Sequence, residues 1–108
     1  MHYWPLSIEK LDQGKNLKIV FDDHIEFIIC AELLRVESPS ADVQGHSGPK
    51  KIVKNKKEIR ITKIEIIGNY AIRIIFSDDH SSGIYTWELL YNYGKNQTIL
   101  LKNYYDSL

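Results

Sequence analysis

One stretch of this chain is written twice, and that constrains the fold more than any other feature. Lys18-Ile19-Val20-Phe21-Asp22-Asp23-His24, closed by Glu32-Leu33-Leu34, returns as Arg73-Ile74-Ile75-Phe76-Ser77-Asp78-Asp79-His80, closed by Glu88-Leu89-Leu90. Each copy reads as strand, acidic turn, strand and short helix. The strand runs are rich in β-branched and aromatic residues. Asp suits the turn between them because it tolerates the left-handed conformation and its carboxylate accepts local backbone hydrogen bonds. Ala31-Glu32-Leu33-Leu34-Arg35 are good helix formers but too few for more than about two turns. Two units are too few to stack as a solenoid, which needs about three. They therefore predict one shared sheet in a single small α+β domain, largely antiparallel, built from two hairpin-plus-short-helix units.

Around the units the pattern is less regular. Glu58 to Ile67 carries apolar Ile59, Ile61, Ile64 and Ile66, and the Thr62-Lys63 step shifts the alternation once, which predicts a bulge. Gly68-Asn69 turns the chain, and Ser82-Gly83-Ile84-Tyr85 is a short return. Glu37 to Lys57 holds Pro39, Gly45, Gly48 and Pro49 and reads as a loop. Loops of this length are uncommon in small domains unless they carry function or are disordered. The domain is placed at residues 1–94, with 95–108 a polar tail that docks or frays. The predicted core is Ile19, Phe21, Phe27, Leu33, Leu34, Ile72, Ile74, Phe76, Trp87 and Leu90.

Fourteen basic and fourteen acidic side chains cancel. No bulk field draws the protein to nucleic acid, which is not expected as a partner. No apolar run approaches the roughly 20 residues that span a bilayer. Met1-His2-Tyr3-Trp4-Pro5 lacks the pattern of a targeting segment, so the expectation is a cytoplasmic protein without membrane contact. Cys30 is the single cysteine and cannot close an internal bridge. Within Phe27-Ile28-Ile29-Cys30-Ala31 it reads as a small buried hydrophobe.

Motifs for catalysis fail on spacing. Gly45-His46-Ser47-Gly48-Pro49 ends in Pro where a nucleophile elbow requires Gly. Gly94-Lys95 lacks the upstream glycine of a phosphate loop. There is no His-x-Asp for a non-haem iron triad, and His24-Ile25-Glu26 is the nearest approximation. No catalytic residue and no enzyme activity are expected. The two Asp-Asp-His turns collect carboxylates and imidazoles, so His80, His46, Asp78 and Asp79 are candidate ligands in an alternative reading as a small metal-binding protein. Turn chemistry explains the same residues without a metal. The run Lys50, Lys51, Lys54, Lys56, Lys57, Arg60 and Lys63, opposed only by Glu58, faces an acidic partner, a phosphate or simply solvent. Tyr3, Trp4, Tyr85, Trp87, Tyr91 and Tyr93 either cage a quaternary ammonium or pack a core and an adhesive surface.

Glu32-Leu33-Leu34-Arg35-Val36-Glu37-Ser38-Pro39-Ser40-Ala41-Asp42-Val43-Gln44-Gly45-His46 is the longest recognisable motif. Taken with Trp4-Pro5, Gly68-Asn69-Tyr70-Ala71-Ile72-Arg73-Ile74 and His80-Ser81-Ser82-Gly83-Ile84-Tyr85-Thr86-Trp87, it resembles the DUF971 family, the gamma-butyrobetaine hydroxylase-like N-terminal domain. The resemblance implies that family's fold and an accessory role. In longer relatives this domain precedes a 2-oxoglutarate oxygenase core or is joined to P-loop ATPases of iron-sulfur cluster assembly. The oxygenase core and its iron triad are missing here, so that activity is not carried over. The implied partner is another protein, an iron-sulfur assembly ATPase or an oxygenase; a homodimer is the other possibility. The relatives' zinc site resembles Cys-Pro-Cys and a further Cys just after Leu-Leu-Arg, with a His from the second hairpin. Those positions hold Ser38, Ser40, Val43 and His80 here. Neutral hydroxyls and an isopropyl group lack the charge and softness of thiolates, so the zinc is expected to be lost and no cofactor is expected. The loop and the aromatics then remain for binding, and Ser38, Ser40, Gln44, His46, Trp4, Tyr85 and Trp87 are expected to contact a partner.

Overall fold

The computed structural model describes residues 3–45 and 48–108. In chain order it contains strands β1 (Pro5–Leu11), β2 (Asn16–Phe21) and β3 (Glu26–Cys30), helix α1 (Ala31–Val36) and the one-turn helix α2 (Ala41–Gln44). Strands β4 (Ile61–Ile67), β5 (Ala71–Phe76) and β6 (Ile84–Thr86) and helix α3 (Trp87–Asp106) follow. The strands form two three-stranded antiparallel sheets, β1-β2-β3 and β4-β5-β6. The α+β class is as expected, but the two units do not share one sheet. Each recruits the strand immediately upstream, through the tight turn at Asp12–Gly14 or at residues 68–70, and completes a sheet of its own. Closing so short a connection costs less chain entropy than pairing across the long middle loop.

The duplication runs beyond the echoed segments. β1 pairs with β2 from Pro5↔Phe21 to Leu11↔Asn16, with a bulge between Pro5 and Ser7. β4 pairs with β5 from Ile61↔Phe76 to Ile67↔Ala71, with a bulge between Ile61 and Lys63. The phase shift expected at Thr62-Lys63 is that second bulge. In the first turn His24 N–H donates to Phe21 O at 2.9 Å, and the Asp23 carboxylate accepts from Ile25 N–H at 2.9 Å. In the second, Asp79 N–H donates to Phe76 O at 2.9 Å, and Asp78 accepts from His80 N–H at 3.1 Å. His24 and Asp79 take the left-handed conformation, with φ of 66° and 68°. Asp23 thus matches Asp78 and His24 matches Asp79. The two Asp-Asp-His strings fall one residue out of step because Ser77 stands where Asp22 does.

Alternation fixes the inner faces of the central strands. Leu17, Ile19 and Phe21 of β2 and Ile72, Ile74 and Phe76 of β5 are wholly buried and share one core with Leu33, Leu34 and Leu90. Burying a side chain of this size contributes about 1.5–3 kcal/mol. The predicted core residues all lie in it, with Phe27 half-buried at its margin. α3 starts at Thr86, whose hydroxyl accepts from Leu89 N–H at 3.2 Å as an N-cap. It runs for 20 residues, with one break in helical dihedrals at Asn96 (φ −109°). The expected boundary after residue 94 therefore falls inside this helix. Gly94 and the flanking asparagines weaken the helical signal, but Gly94 is required by packing: a Cβ there would meet Phe27 Cγ at 2.3 Å. Past the break, Gln97 Oε1 accepts from Cys30 N–H and Gln97 Nε2 donates to Ile28 O, both at 2.8 Å. One side-chain amide thereby covers part of the edge of β3. Among the described residues no helix is long and apolar enough to cross a membrane.

Candidate functional site

The polar loop after α1 turns inward. Ser38 is wholly buried and Ser40 is 6% exposed. Ser38 Oγ lies 2.9 Å from His80 Nε2 and Ser40 Oγ lies 3.4 Å from the same nitrogen, so both hydroxyls are spent on the second turn. Ser38 Oγ also accepts from Ser40 N–H at 3.4 Å. Gln44 Nε2 donates to Ser38 O at 2.9 Å, closing the loop on itself. Val43 faces a separate small apolar cluster with Val36, Val53 and Tyr104. The residues at the positions where the resemblance implies a zinc site are thus brought together in part: two hydroxyls meet one imidazole, and the fourth position is a buried hydrocarbon.

Charge in the second turn is engaged as well. Asp78 Oδ2 accepts from Arg35 Nε at 2.8 Å and lies 2.7 Å from Lys56 Nζ. Burial opposes ionisation of Asp78, yet hydrogen bonds from Lys56 and Arg35 outweigh it and hold its pKa at about 2. Burial, reinforced by the nearby Arg35 charge, pushes the His80 pKa down and favours the neutral ring. Asp79 holds the turn through its left-handed backbone and its N–H bond to Phe76 O. His46 lies outside the described residues. Among the described residues no group of three His, Cys, Asp or Glu side chains is placed to hold a metal ion. Burial also raises the Cys30 pKa, which disfavours its thiolate.

The aromatic candidates separate into two sets. Tyr85 is wholly buried, and its hydroxyl donates to Leu34 O at 2.5 Å. Tyr93 donates to Glu37 O at 2.6 Å. Of the residues expected to contact a partner, Ser38, Ser40 and Tyr85 are thus buried within the chain. Trp87 is nearly buried, with Nε1 donating to Asn69 O at 2.9 Å. Trp4 packs edge-on to it at 6.3 Å between ring centroids and remains 49% exposed.

Trp4 marks the open end of the molecule. A groove of ≈ 430 Å³ runs along β1, lined by Trp4, Leu6, Ile8, Ile66, Asn69 and Trp87. A second hollow of ≈ 420 Å³ adjoins it at Tyr3 and Tyr70. Leu6, Ile66 and Tyr70 are 57%, 65% and 52% exposed, a cluster of large apolar side chains of the kind that marks an interaction surface. The other end of the duplication is closed. There Lys10, the counterpart of Ile66, donates through Nζ to the carbonyl of Thr62, the counterpart of Leu6, at 3.2 Å. Arg60, the counterpart of Trp4, donates to Asp12 O at 3.4 Å and Gln13 O at 3.3 Å. Polar groups seal one end, and the matching apolar groups leave the other open. Sequence reasoning found Trp4 and Trp87 but missed Leu6 and Ile66, because Ile66 reads as one more inward residue of an alternating strand.

Residues 8–91 match the family described as gamma-butyrobetaine hydroxylase-like, N-terminal. Among solved structures, one protein determined by NMR in solution is 38% identical, with a TM-score of 0.85, over 99% of this chain and 80% of that one. A second NMR structure is 32% identical, with a TM-score of 0.86, over 100% of this chain and 86% of the other. A crystal structure from Acidithiobacillus ferrooxidans ATCC 23270, of a protein of unknown function in the DUF971 family, is 32% identical with a TM-score of 0.67. It aligns with 80% of this chain and 86% of its own. No curated protein matches.

Proposed function

Because the chain belongs to the gamma-butyrobetaine hydroxylase-like N-terminal family, we propose that it is a non-catalytic accessory module that binds another protein through the groove at Trp4. The observation that carries this reading is the exposure of Leu6 and Ile66 at the open end, where their counterparts at the other end, Thr62 and Lys10, bond each other. The chemistry-bearing residues support it by being occupied elsewhere: Ser38, Ser40 and His80 bond one another, and Asp78 is held by Arg35 and Lys56. Two hydroxyls, a valine and an imidazole do not make a zinc site, since nothing in the set supplies the thiolate charge. The proposal therefore includes no metal, and the loop is a hydrogen-bonded clasp in place of one. The fusions that the family resemblance implies make an iron-sulfur assembly ATPase or an oxygenase the partner we propose.

A photo-crosslinking residue at position 6 tests the reading in the native cell. A discrete covalent adduct with one other protein is expected there. None is expected at position 99, where Ile99 is 51% exposed outside the groove. Absence of an adduct at position 6, or the same adducts at both positions, overturns it.

A further inference from the structure

We propose that residues 50–57 form a second docking surface, whose occupant is an acidic segment of another protein carrying an apolar side chain. This surface is separate from the groove at Trp4 and stands or falls independently of it. The argument starts with charge. Residues 50–60 hold six of the fourteen basic side chains and one of the fourteen acidic ones, leaving eight against thirteen in the rest of the chain. In a protein of zero net charge the basic side chains are thus concentrated in one segment, and a localised patch steers an oppositely charged partner.

The segment has no regular secondary structure, yet it is held in place. Lys51 N–H donates to Val43 O at 2.7 Å, and Tyr104 OH donates to the carbonyl of buried Val53 at 2.6 Å. Three of its lysines are engaged: Lys50 with Glu37, Lys56 with Asp78, and Lys57 over the Tyr105 ring at 5.4 Å. Among the described residues Lys51 and Lys54 form no ion pair. Their backbone is already fixed, so a carboxylate that meets them loses less to ordering than it would on a mobile tail. Between them Ile52 is 47% exposed. Beside it a cleft of ≈ 320 Å³ is lined by Val36, Ile52, Val53 and Tyr104 together with Lys50, Lys51 and Glu37, whose carboxylate is held by Lys50. Cations above an apolar cleft match carboxylates flanking an apolar side chain.

Nucleic acid fits less well. The acidic remainder of the chain opposes a phosphate backbone, Tyr104 is buried, and Lys57 covers one face of the 40% exposed Tyr105 ring, which leaves less for base stacking.

Selection of displayed random peptides against the intact protein tests the proposal. The enriched peptides should be acidic, with at least one large apolar residue. Their affinity should fall about tenfold or more in Lys51→Glu/Lys54→Glu and in Ile52→Asp, and should weaken with added salt. It should be unchanged in Leu6→Ser/Ile66→Ser. Failure to enrich, a neutral or basic consensus, or peptides lost only in Leu6→Ser/Ile66→Ser would each overturn it, and the last would still support the groove. Tighter, lysine-dependent binding of a single-stranded RNA oligonucleotide would reassign the surface. Circular dichroism of each variant separates lost binding from lost folding.

Discussion

Arg35 and Tyr91 occupy the same position in the two halves, the fifth residue of α1 and of α3, and each bonds the turn aspartate of the opposite half. Arg35 Nε reaches Asp78 Oδ2 at 2.8 Å, and Tyr91 OH reaches Asp23 Oδ2 at 2.7 Å. Contacts exchanged in this way are those of a two-fold interface between identical partners, here joined in one chain. The halves differ in strength, because Asp78 is the more enclosed of the two and is held by two cations. Arg35→Met is expected to destabilise by about 1.5–3 kcal/mol, as for hydrogen bonds to charged groups. Tyr91→Phe should cost less. Chemical denaturation of both variants checks the order, and equal losses would contradict it.

A second reciprocal pair is built from size. Phe27 lies on Gly94, and at the matching place in the other half Gly83 lies on Ser38, where an added Cβ would come within 2.5 Å of Ser38 Oγ. Large and small are exchanged between the halves. Gly94→Ala should therefore destabilise by about 1–3 kcal/mol through overpacking. Combining it with Phe27→Leu should recover part of that loss, a coupling that a double-mutant cycle reads directly. Simple additivity of the two changes would mean that the ring and the glycine do not share a site.

Acid should act through Asp78. Its pKa falls from the ordinary 3.8 to about 2 on folding. The unfolded chain thus binds a proton more readily than the folded one in that window. The stability from this carboxylate is complete above pH 3.8 and is lost as pH falls towards about 2. Melting temperatures from pH 5 to pH 2 are expected to fall more steeply for the wild type than for Asp78→Asn. Parallel profiles would place the acid sensitivity elsewhere.

Chelation should do nothing to the fold. On the proposed reading, with Ser38, Ser40 and Val43 in place of thiolates, the fold draws no free energy from a structural metal, so EDTA is expected to leave the melting temperature unchanged. A fall on chelation that zinc reverses would show that His80 works with ligands other than these.

The duplicated units, their turns and most of the core are legible in the sequence, because Phe21 and Phe76 end β-branched runs at the same distance from an acidic turn. β1 is not legible. Pro5-Leu6-Ser7-Ile8-Glu9-Lys10-Leu11 breaks the alternation of a strand, and only its pairing with β2 shows it to be the counterpart of Ile61–Ile67. The length of α3 is hidden by Gly94, a residue chosen for Phe27 and not for the helix. The meeting of Ser38 with His80 is a contact between distant parts of the chain, which periodicity does not encode and which only the family resemblance suggested. The open groove was invisible for a related reason: exposure of Leu6 and Ile66 depends on what fails to cover them.

The division of labour between clasp and groove is tested most directly by comparing three forms of the protein in the native cell: wild type, Leu6→Ser/Ile66→Ser and Gln44→Ala. Melting temperature and recovery of the bound partner are measured for each. Exposed substitutions typically change stability by less than about 0.5 kcal/mol, so Leu6→Ser/Ile66→Ser should melt like the wild type and lose the partner. Gln44→Ala, which removes the bond to Ser38 O, should melt earlier and keep it. Equal recovery by wild type and Leu6→Ser/Ile66→Ser, or loss of the partner with Gln44→Ala alone, would contradict the account.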